Sequence, residues 1–243
     1  MHDHKQTVGN QPPAAGSESP FLETSLPQIL RARESCWGRF TTYPAMQQHT
    51  LMKAMQFASA DVTLGSISAE ASWIRTCVLA LRVNDVRPAA YEYNEKSCKL
   101  NKISDWSGTP ELLQSLYWMP NYNLNQVAAI IAIVGATAAA LEAWGERSIR
   151  TINVAAGAFA QRLYLACAEL LLGCGVVFGF NVAMASALFH MPESEHPLLL
   201  AFVGPRTLSA TAYDFRVSGT TSQGPSKPDF KFIPGASHAS AEY

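Results

Sequence analysis

Hydrophobic positions are concentrated in the middle of the chain, between two polar ends. Residues 1–23 are mostly polar and rich in Pro, Gly and Ser, and the sequence turns polar again after Arg206. Such compositions bury too little apolar area to offset the entropy lost on ordering. The pattern predicts a flexible lead over residues 1–23, one domain over residues 24–206, and an arm or disordered tail over residues 207–243.

Helical spacing of apolar residues marks three segments before the centre of the chain. The first helix is predicted to begin at Thr24-Ser25, where a hydroxyl can cap it and Pro27 suits the first turn. A second is predicted to begin at Thr50, and a short one to cover Glu111–Tyr117. The residues expected to be buried by the first two helices are Leu26, Ile29, Leu30, Leu51, Met55 and Ala58.

Dense β-branched and apolar runs predict the strands. They cover Trp73–Val83, a hairpin of Ala89–Tyr93 with Cys98–Ile103, Val127–Val134 and Pro197–Val203. The apolar run Val127–Leu141 has about 15 residues, whereas roughly 20 are needed to span a bilayer. It is therefore interpreted as a buried strand that leads into a short connection.

The longest predicted helix covers Asn153–Leu172 and is apolar on nearly all sides. A helix of this kind lies either in a core or half in a core and half in an interface. Gly173 and Gly175 are expected to end it.

Composition and charge limit the kinds of partner that the protein is expected to bind. The chain has 243 residues, of which 48% are hydrophobic and only 15% charged, so we expect a partner to cover apolar surface, as in an obligate dimer. The net charge of -1 gives no reason to expect nucleic-acid or membrane binding. Five cysteines without a C-x-x-C pair suggest a reduced, cytoplasmic setting, and the dispersed histidines do not predict a metal site.

Three segments could carry chemistry. Arg31, Arg33 and Ser35, in a segment that continues to Arg39-Phe40, place guanidiniums and a hydroxyl where they could bind a phosphate monoester. A solvated basic helix end is the alternative interpretation. The small residues of Ser66–Ala71 and the segment Phe178–Phe180 could each lie against a flat ligand, although a plain loop and core packing explain them equally well.

The order of these segments resembles the FMN-dependent nitroreductase superfamily. The stretch Gly157–Leu165 resembles the start of that family's central helix, and Val203-Gly204-Pro205 follows in register. The branch most similar is that of the SagB-type and McbC-type azoline dehydrogenases, because Ser68–Ala71 resembles their Ser-Ala-Gly-Ala loop and Trp144–Arg150 their Tyr-Gly-x-Arg segment.

The resemblance implies an α+β fold with a central, mostly antiparallel sheet flanked by helices and a long central helix at a homodimer interface. It also implies an FMN-dependent oxidoreductase acting on a small secondary-metabolite or peptide-derived substrate, with a biosynthetic partner protein as a further possibility. The positions that it implies for FMN binding are Arg31, Arg33, Ser35, Ser68, Ala69, Glu70, Phe178, Gly179 and Arg206.

Departures from the family pattern affect the expected chemistry. Azoline dehydrogenases carry a Lys-Tyr pair where this chain has Ala143-Trp144, and neither a methyl group nor an indole N–H can act as a base. The loop glycine of that branch is replaced by Glu70, which becomes the candidate catalytic base. The alternative is a degenerate, non-catalytic subunit that serves as a scaffold in a biosynthetic complex.

Overall fold

A computed structural model describes residues 24–60 and 73–207, and these ranges contain one sheet with helices on both faces. The strands are β1 Ile74–Ala80, β2 Ala89–Asn94, β3 Lys99–Asp105, β4 Ala129–Gly135, β5 Leu172–Val177 and β6 His196–Pro205. The helices are α1 Leu26–Ala32, α2 Gln48–Ser59, α3 Pro110–Gln114, α4 Thr137–Trp144, α5 Ser148–Glu169 and α6 Val182–Leu188.

The sheet has the strand order β3-β2-β1-β4-β6-β5, and every neighbouring pair among these strands is antiparallel. Successive residues of a strand point to opposite faces. In β4, Ile131 packs with residues of α2 and α5, whereas Ile130 packs on the other face with Leu116 and Ala185 of α6. Burial on both faces explains why the central strands are continuously apolar, and the predicted α+β fold with its antiparallel sheet is confirmed.

Helix α5 is the longest described element and packs against the sheet. It begins at Ser148, five residues before the predicted start, because Arg150 and Thr151 continue the helix although they interrupt its apolar pattern. Phe159 and Leu163 are buried against the sheet, whereas Val154 is 51% exposed. One face of α5 therefore lies in the core and the other is uncovered in the single chain.

Two expectations were wrong, one about the end of α5 and one about the buried face of α1. Gly173 and Gly175 do not end the helix but lie in β5, which pairs with β6. The helix ends at Glu169, and Leu171 then takes a positive φ of 56° that turns the chain into the strand. In α1 only Ile29 of the predicted apolar face is buried, since that helix lies at the edge of the core.

Helices α4 and α6 were not predicted. α4 occupies the second half of the apolar run that was expected to be a short connection, and its alanines and Leu141 are strong helix formers. α6 is capped by Asn181, whose side chain accepts a hydrogen bond from the Met184 N–H. Among the described residues, no helix combines the length and apolarity that crossing a bilayer requires.

Candidate functional site

The segment after α1 forms a short extension of the sheet next to the end of β6. The Cys36 N–H donates to the Cys174 carbonyl at 2.9 Å, and Phe40 forms a bridge with Arg206. The Thr207 N–H then donates to the Arg39 carbonyl at 2.9 Å. These backbone bonds bring Arg39 and Arg206, which are 167 positions apart in the numbering of the sequence, to one place.

Both guanidiniums bind the same carboxylate. Arg39 Nη2 and Arg206 Nη1 each donate to Glu34 Oε1 at 2.9 Å. The side chain of Glu34 is 50% exposed, while those of Arg39 and Arg206 are 28% and 19% exposed. Among the described residues, the buried Arg206 Nε has no hydrogen-bond partner. The resemblance implied Arg206 for FMN binding, and Arg39 ends the basic segment that the sequence suggested for a phosphate. Neither indicated that Glu34 would bind both arginines.

Two further arginines precede Glu34 in the chain, Arg31 in α1 and Arg33 directly after it. The Arg33 guanidinium lies over the ring of Tyr164, 5.6 Å from its centroid, and Arg31 is exposed on the last turn of α1. We define the arginine cluster as Arg31, Arg33, Arg39 and Arg206, two of which bind the carboxylate of Glu34. Guanidinium groups bind phosphate oxygens with paired hydrogen bonds, so the residues present fit a phosphate monoester.

Ser35 faces two tyrosines, the buried Tyr122 and the partly buried Tyr164. Its Oγ lies 3.1 Å from Tyr122 Oη, and the Tyr164 hydroxyl accepts a hydrogen bond from the Val176 N–H at 3.0 Å. Burial raises the pKa of Tyr122 to about 12 and also raises the pKa of Tyr164. Both hydroxyls are therefore neutral donors near pH 7. When Tyr122 donates to Ser35, the Ser35 hydroxyl can donate to a second acceptor.

The tyrosines that surround Ser35 were not predicted as site residues. Tyr122 packs on the rings of Phe202 and Tyr117, with centroids 5.2 and 5.8 Å away. Gly175 lies against its hydroxyl, because a Cβ on that residue would stand 2.3 Å from Tyr122 Oη. No motif in the sequence around Tyr122 marks this role, which depends on contacts between distant segments.

The residues predicted for the flavin ring lie elsewhere. Phe178, 71% exposed, and Gly179 follow the end of β5, whereas Arg206 lies beside its start, where Leu172 pairs with Pro205. Six residues of strand separate the two places by about 20 Å. A Cβ on Gly179 would meet no atom within 4 Å, so its backbone is open to a ligand. Ser68, Ala69 and Glu70 lie outside the described residues.

The positions that differ from the azoline dehydrogenases lie at the end of α4. Ala143 is exposed, and Trp144 packs on Trp73, the first described residue after the gap at 61–72. Neither side chain can take up a proton. In the part of the chain that the structure describes, no three His, Cys, Asp or Glu side chains converge to hold a metal ion.

The described fold is similar to several solved structures. One is a protein from Anabaena variabilis assigned as a nitroreductase, with 20% identity and a TM-score of 0.65 over 74% of this chain; the match spans only 38% of that longer chain. Another is the Escherichia coli microcin synthetase McbBCD complex with truncated pro-MccB17 bound, with 17% identity, a TM-score of 0.62, and coverage of 83% of this chain and 79% of that chain.

A nitroreductase family protein from Streptococcus pneumoniae is 15% identical with a TM-score of 0.56, and 80% of this chain matches 96% of it. Identities this low show the fold alone. No curated protein sequence matches the chain significantly. The profile described as "Nitroreductase family" matches residues 30–205, which is most of the chain and includes the arginine cluster except Arg206. The chain therefore belongs to the nitroreductase family.

Proposed function

We propose that this protein is an FMN-dependent oxidoreductase acting on a small secondary-metabolite or peptide-derived substrate. The observation that carries the proposal is the convergence of Arg39 and Arg206 on a single anionic oxygen, with Arg31 and Arg33 in the preceding turn. The arginine cluster lies mostly within the matched family region, and the FMN that the resemblance to nitroreductases implies ends in a phosphate monoester, which makes FMN the candidate ligand.

Two groups of residues would contact the two ends of the cofactor. The arginine cluster and the Ser35 hydroxyl would hold the phosphate and ribityl end. Ser68, Ala69 and Glu70 of the undescribed loop would lie against the ring. Phe178 and Gly179 lie about 20 Å from Arg206 along β5, beyond the reach of the same FMN, so they would contact the ring only of the FMN held by a second copy. When bound, FMN supplies an acceptor and donor of hydride.

Oxidation by hydride transfer also releases a proton, which needs a base. Ala143 and Trp144 offer none, so we propose that Glu70 takes this proton. Azoline-to-azole oxidation removes a hydride and a proton from the substrate: bound FMN would supply the hydride acceptor, and Glu70 would take the proton. The McbBCD complex was solved with a truncated precursor peptide, and its likeness to this fold supports a peptide-derived substrate.

We also propose a homodimer in which α5 packs against a second copy. The exposed faces of α5 and α1 support this, since Ile149, Val154, Leu26 and Leu30 are large apolar residues about half exposed or more. A biosynthetic partner protein is a further possibility, in line with the multi-subunit assembly of McbBCD.

An absorbance spectrum tests the proposal directly. Purified protein, before and after incubation with FMN and desalting, should show the two visible flavin bands in proportion to protein. Glu70→Gln should retain these bands but lose conversion of an azoline peptide to the azole, seen by mass spectrometry as the loss of two hydrogens. Glu92→Gln, which neutralises a half-exposed glutamate on β2, should keep both the flavin bands and the conversion of the azoline peptide. Protein that takes up no FMN contradicts the proposal.

A non-catalytic scaffold is the second candidate. The observation that favours it is the Trp144–Trp73 packing at the position of the absent Lys-Tyr pair, which leaves a structural contact where relatives have polar groups. It predicts that any bound flavin is not bleached by reduced nicotinamide or by an azoline peptide. Rapid bleaching by either compound would exclude this alternative.

A further inference from the structure

The carboxylate of Glu34 uses guanidinium donors that could otherwise bind a phosphate. Its Oε1 accepts hydrogen bonds from both Arg39 and Arg206 at 2.9 Å, so one protein oxygen uses donors from two guanidiniums. A phosphate monoester competes for the same donors, and it carries more charge and more acceptor oxygens than a carboxylate. The two anions cannot be held at the same guanidinium nitrogens at once.

The arginines are fixed more firmly than the glutamate. Arg39 Nε also donates to the Cys36 carbonyl at 3.1 Å, and Arg206 pairs with Phe40 through the backbone. The Cβ of Arg206 packs close to Gly173 of β5. Glu34, by contrast, lies in an irregular segment after α1, and its side chain is half exposed. Rotation of Glu34 into solvent therefore leaves the Arg39 guanidinium bound to the Cys36 carbonyl and frees Nη1 of Arg206 for another anion.

We propose that Glu34 is an internal counter-anion, which holds Arg39 and Arg206 in the free protein and must swing out before a phosphorylated ligand binds. The proposal rests on the proposed FMN function for the identity of the ligand. A phosphate that binds must first break the two charge-assisted hydrogen bonds between Glu34 and the arginines. It then lies near the displaced negative charge of Glu34, which repels it. Glu34 thus lowers the affinity for the phosphate group and leaves the affinity for the ring unchanged.

Removing the charge should strengthen phosphate binding specifically. Glu34→Gln keeps the size of the side chain, and we expect its Kd for FMN to fall roughly tenfold at low ionic strength. Riboflavin has the same ring and ribityl chain without the phosphate, and its Kd should stay within about twofold. Both are measured by quenching of flavin fluorescence on the purified full-length protein.

Glu92→Gln is the matched control. Glu92 is also about half exposed, at 46%, and its carboxylate lies 3.9 Å from the guanidinium of Arg75 on β1. It has no contact with the arginine cluster, so its substitution should leave both flavin affinities unchanged. Glu34→Ala serves as a second variant that should shift FMN affinity in the same direction.

Each outcome decides the inference. An unchanged or weaker FMN affinity in Glu34→Gln overturns it, because the carboxylate would then be neutral or would help to orient the arginines. If no flavin binds to wild type or variants, the proposed function fails, and inorganic pyrophosphate decides the inference instead. In that case pyrophosphate should raise the melting temperature of Glu34→Gln more than that of wild type, and an equal or smaller rise would overturn the proposal.

Discussion

The indole of Trp144 packs edge-on against the indole of Trp73, with ring centroids 6.3 Å apart and planes at 86°. The contact joins the end of α4 to the start of β1. Edge-to-face aromatic pairs contribute about 0.5–1.5 kcal/mol beyond the area that they bury. Trp144→Ala should therefore lower the free energy of unfolding by about 1–2 kcal/mol, measured by urea denaturation followed by circular dichroism.

Trp118→Ala provides the comparison for this prediction. Trp118 is an exposed tryptophan outside the regular elements, and its removal should change the free energy of unfolding by less than about 0.5 kcal/mol. Equal losses of unfolding free energy in the two variants would show that the contact between Trp144 and Trp73 does not stabilise the fold.

Gly175 is the position of β5 least able to accept a side chain. An added Cβ would stand 2.3 Å from Tyr122 Oη and 2.6 Å from Tyr122 Cζ, and the ring is held by Phe202 and Tyr117. Gly175→Ala should destabilise the protein by about 2–3 kcal/mol, because the rigid ring must move within a packed core. Thermal and urea unfolding measure the loss.

Gly179→Ala is its control, since an added Cβ there meets no atom within 4 Å. Its stability should match wild type to within about 0.5 kcal/mol. If Gly175→Ala is equally mild, Tyr122 is not fixed as the structure indicates.

The Ser35–Tyr122 hydrogen bond can be measured with a double-mutant cycle. The hydroxyl of Tyr122 is buried and lies 3.1 Å from Ser35 Oγ. Ser35→Ala and Tyr122→Phe should each cost about 1 kcal/mol, and the double variant should cost less than their sum by about 0.5–1.5 kcal/mol. Additive losses would mean that the two hydroxyls do not interact in solution.

Much of the fold follows from local pattern. The strands β1, β4 and β6 lie where apolar runs predicted them, because most of their residues are buried on both faces of the sheet. The strands β2 and β3 lie where the hairpin was predicted. The errors arose where local signals conflict. Gly173 and Gly175 were predicted to end a helix, but they lie in a strand. Their lack of side chains makes room for Phe40 and Tyr122.

The candidate site was only partly accessible from the sequence. Arg33 and Ser35 could be proposed as phosphate-binding residues because they are close together in the chain. The meeting of Glu34 with Arg206 could not, since it depends on the bridge between Phe40 and Arg206. Glu34 itself resembles any other glutamate at the end of a helix, and only the geometry shows that it binds two guanidiniums.

The uncovered face of α5 leads to a prediction about assembly. Val154 is 51% exposed on this helix, where we propose a second copy packs. Val154→Glu would place a charge in that interface, and we expect it to convert a dimer to a monomer at micromolar concentration, measured by light scattering after size exclusion. Leu112→Glu on α3, at a residue 48% exposed, should remain dimeric. A monomeric wild type would contradict the proposed dimer.

Buried thiols should make the protein sensitive to alkali. Burial raises the pKa of Cys36 and of Cys77 from an ordinary value of 9.0 to about 12, and the positive charges of Arg39 and Arg75 oppose this only in part. Above pH 9 the unfolded chain loses these protons while the folded chain keeps them, so unfolding is favoured as the pH rises. The stabilisation is complete below pH 9 and is lost between pH 9 and 12.

The size of this effect can be tested between pH 9 and 10, below the ordinary pKa of the tyrosines. Each thiol can lower the free energy of unfolding by at most about 1.4 kcal/mol per pH unit. Urea midpoints measured in reductant should fall over this interval, and they should fall less steeply in the Cys36→Ala/Cys77→Ala variant. Equal slopes for wild type and the double variant would show that burial does not hold these thiols protonated.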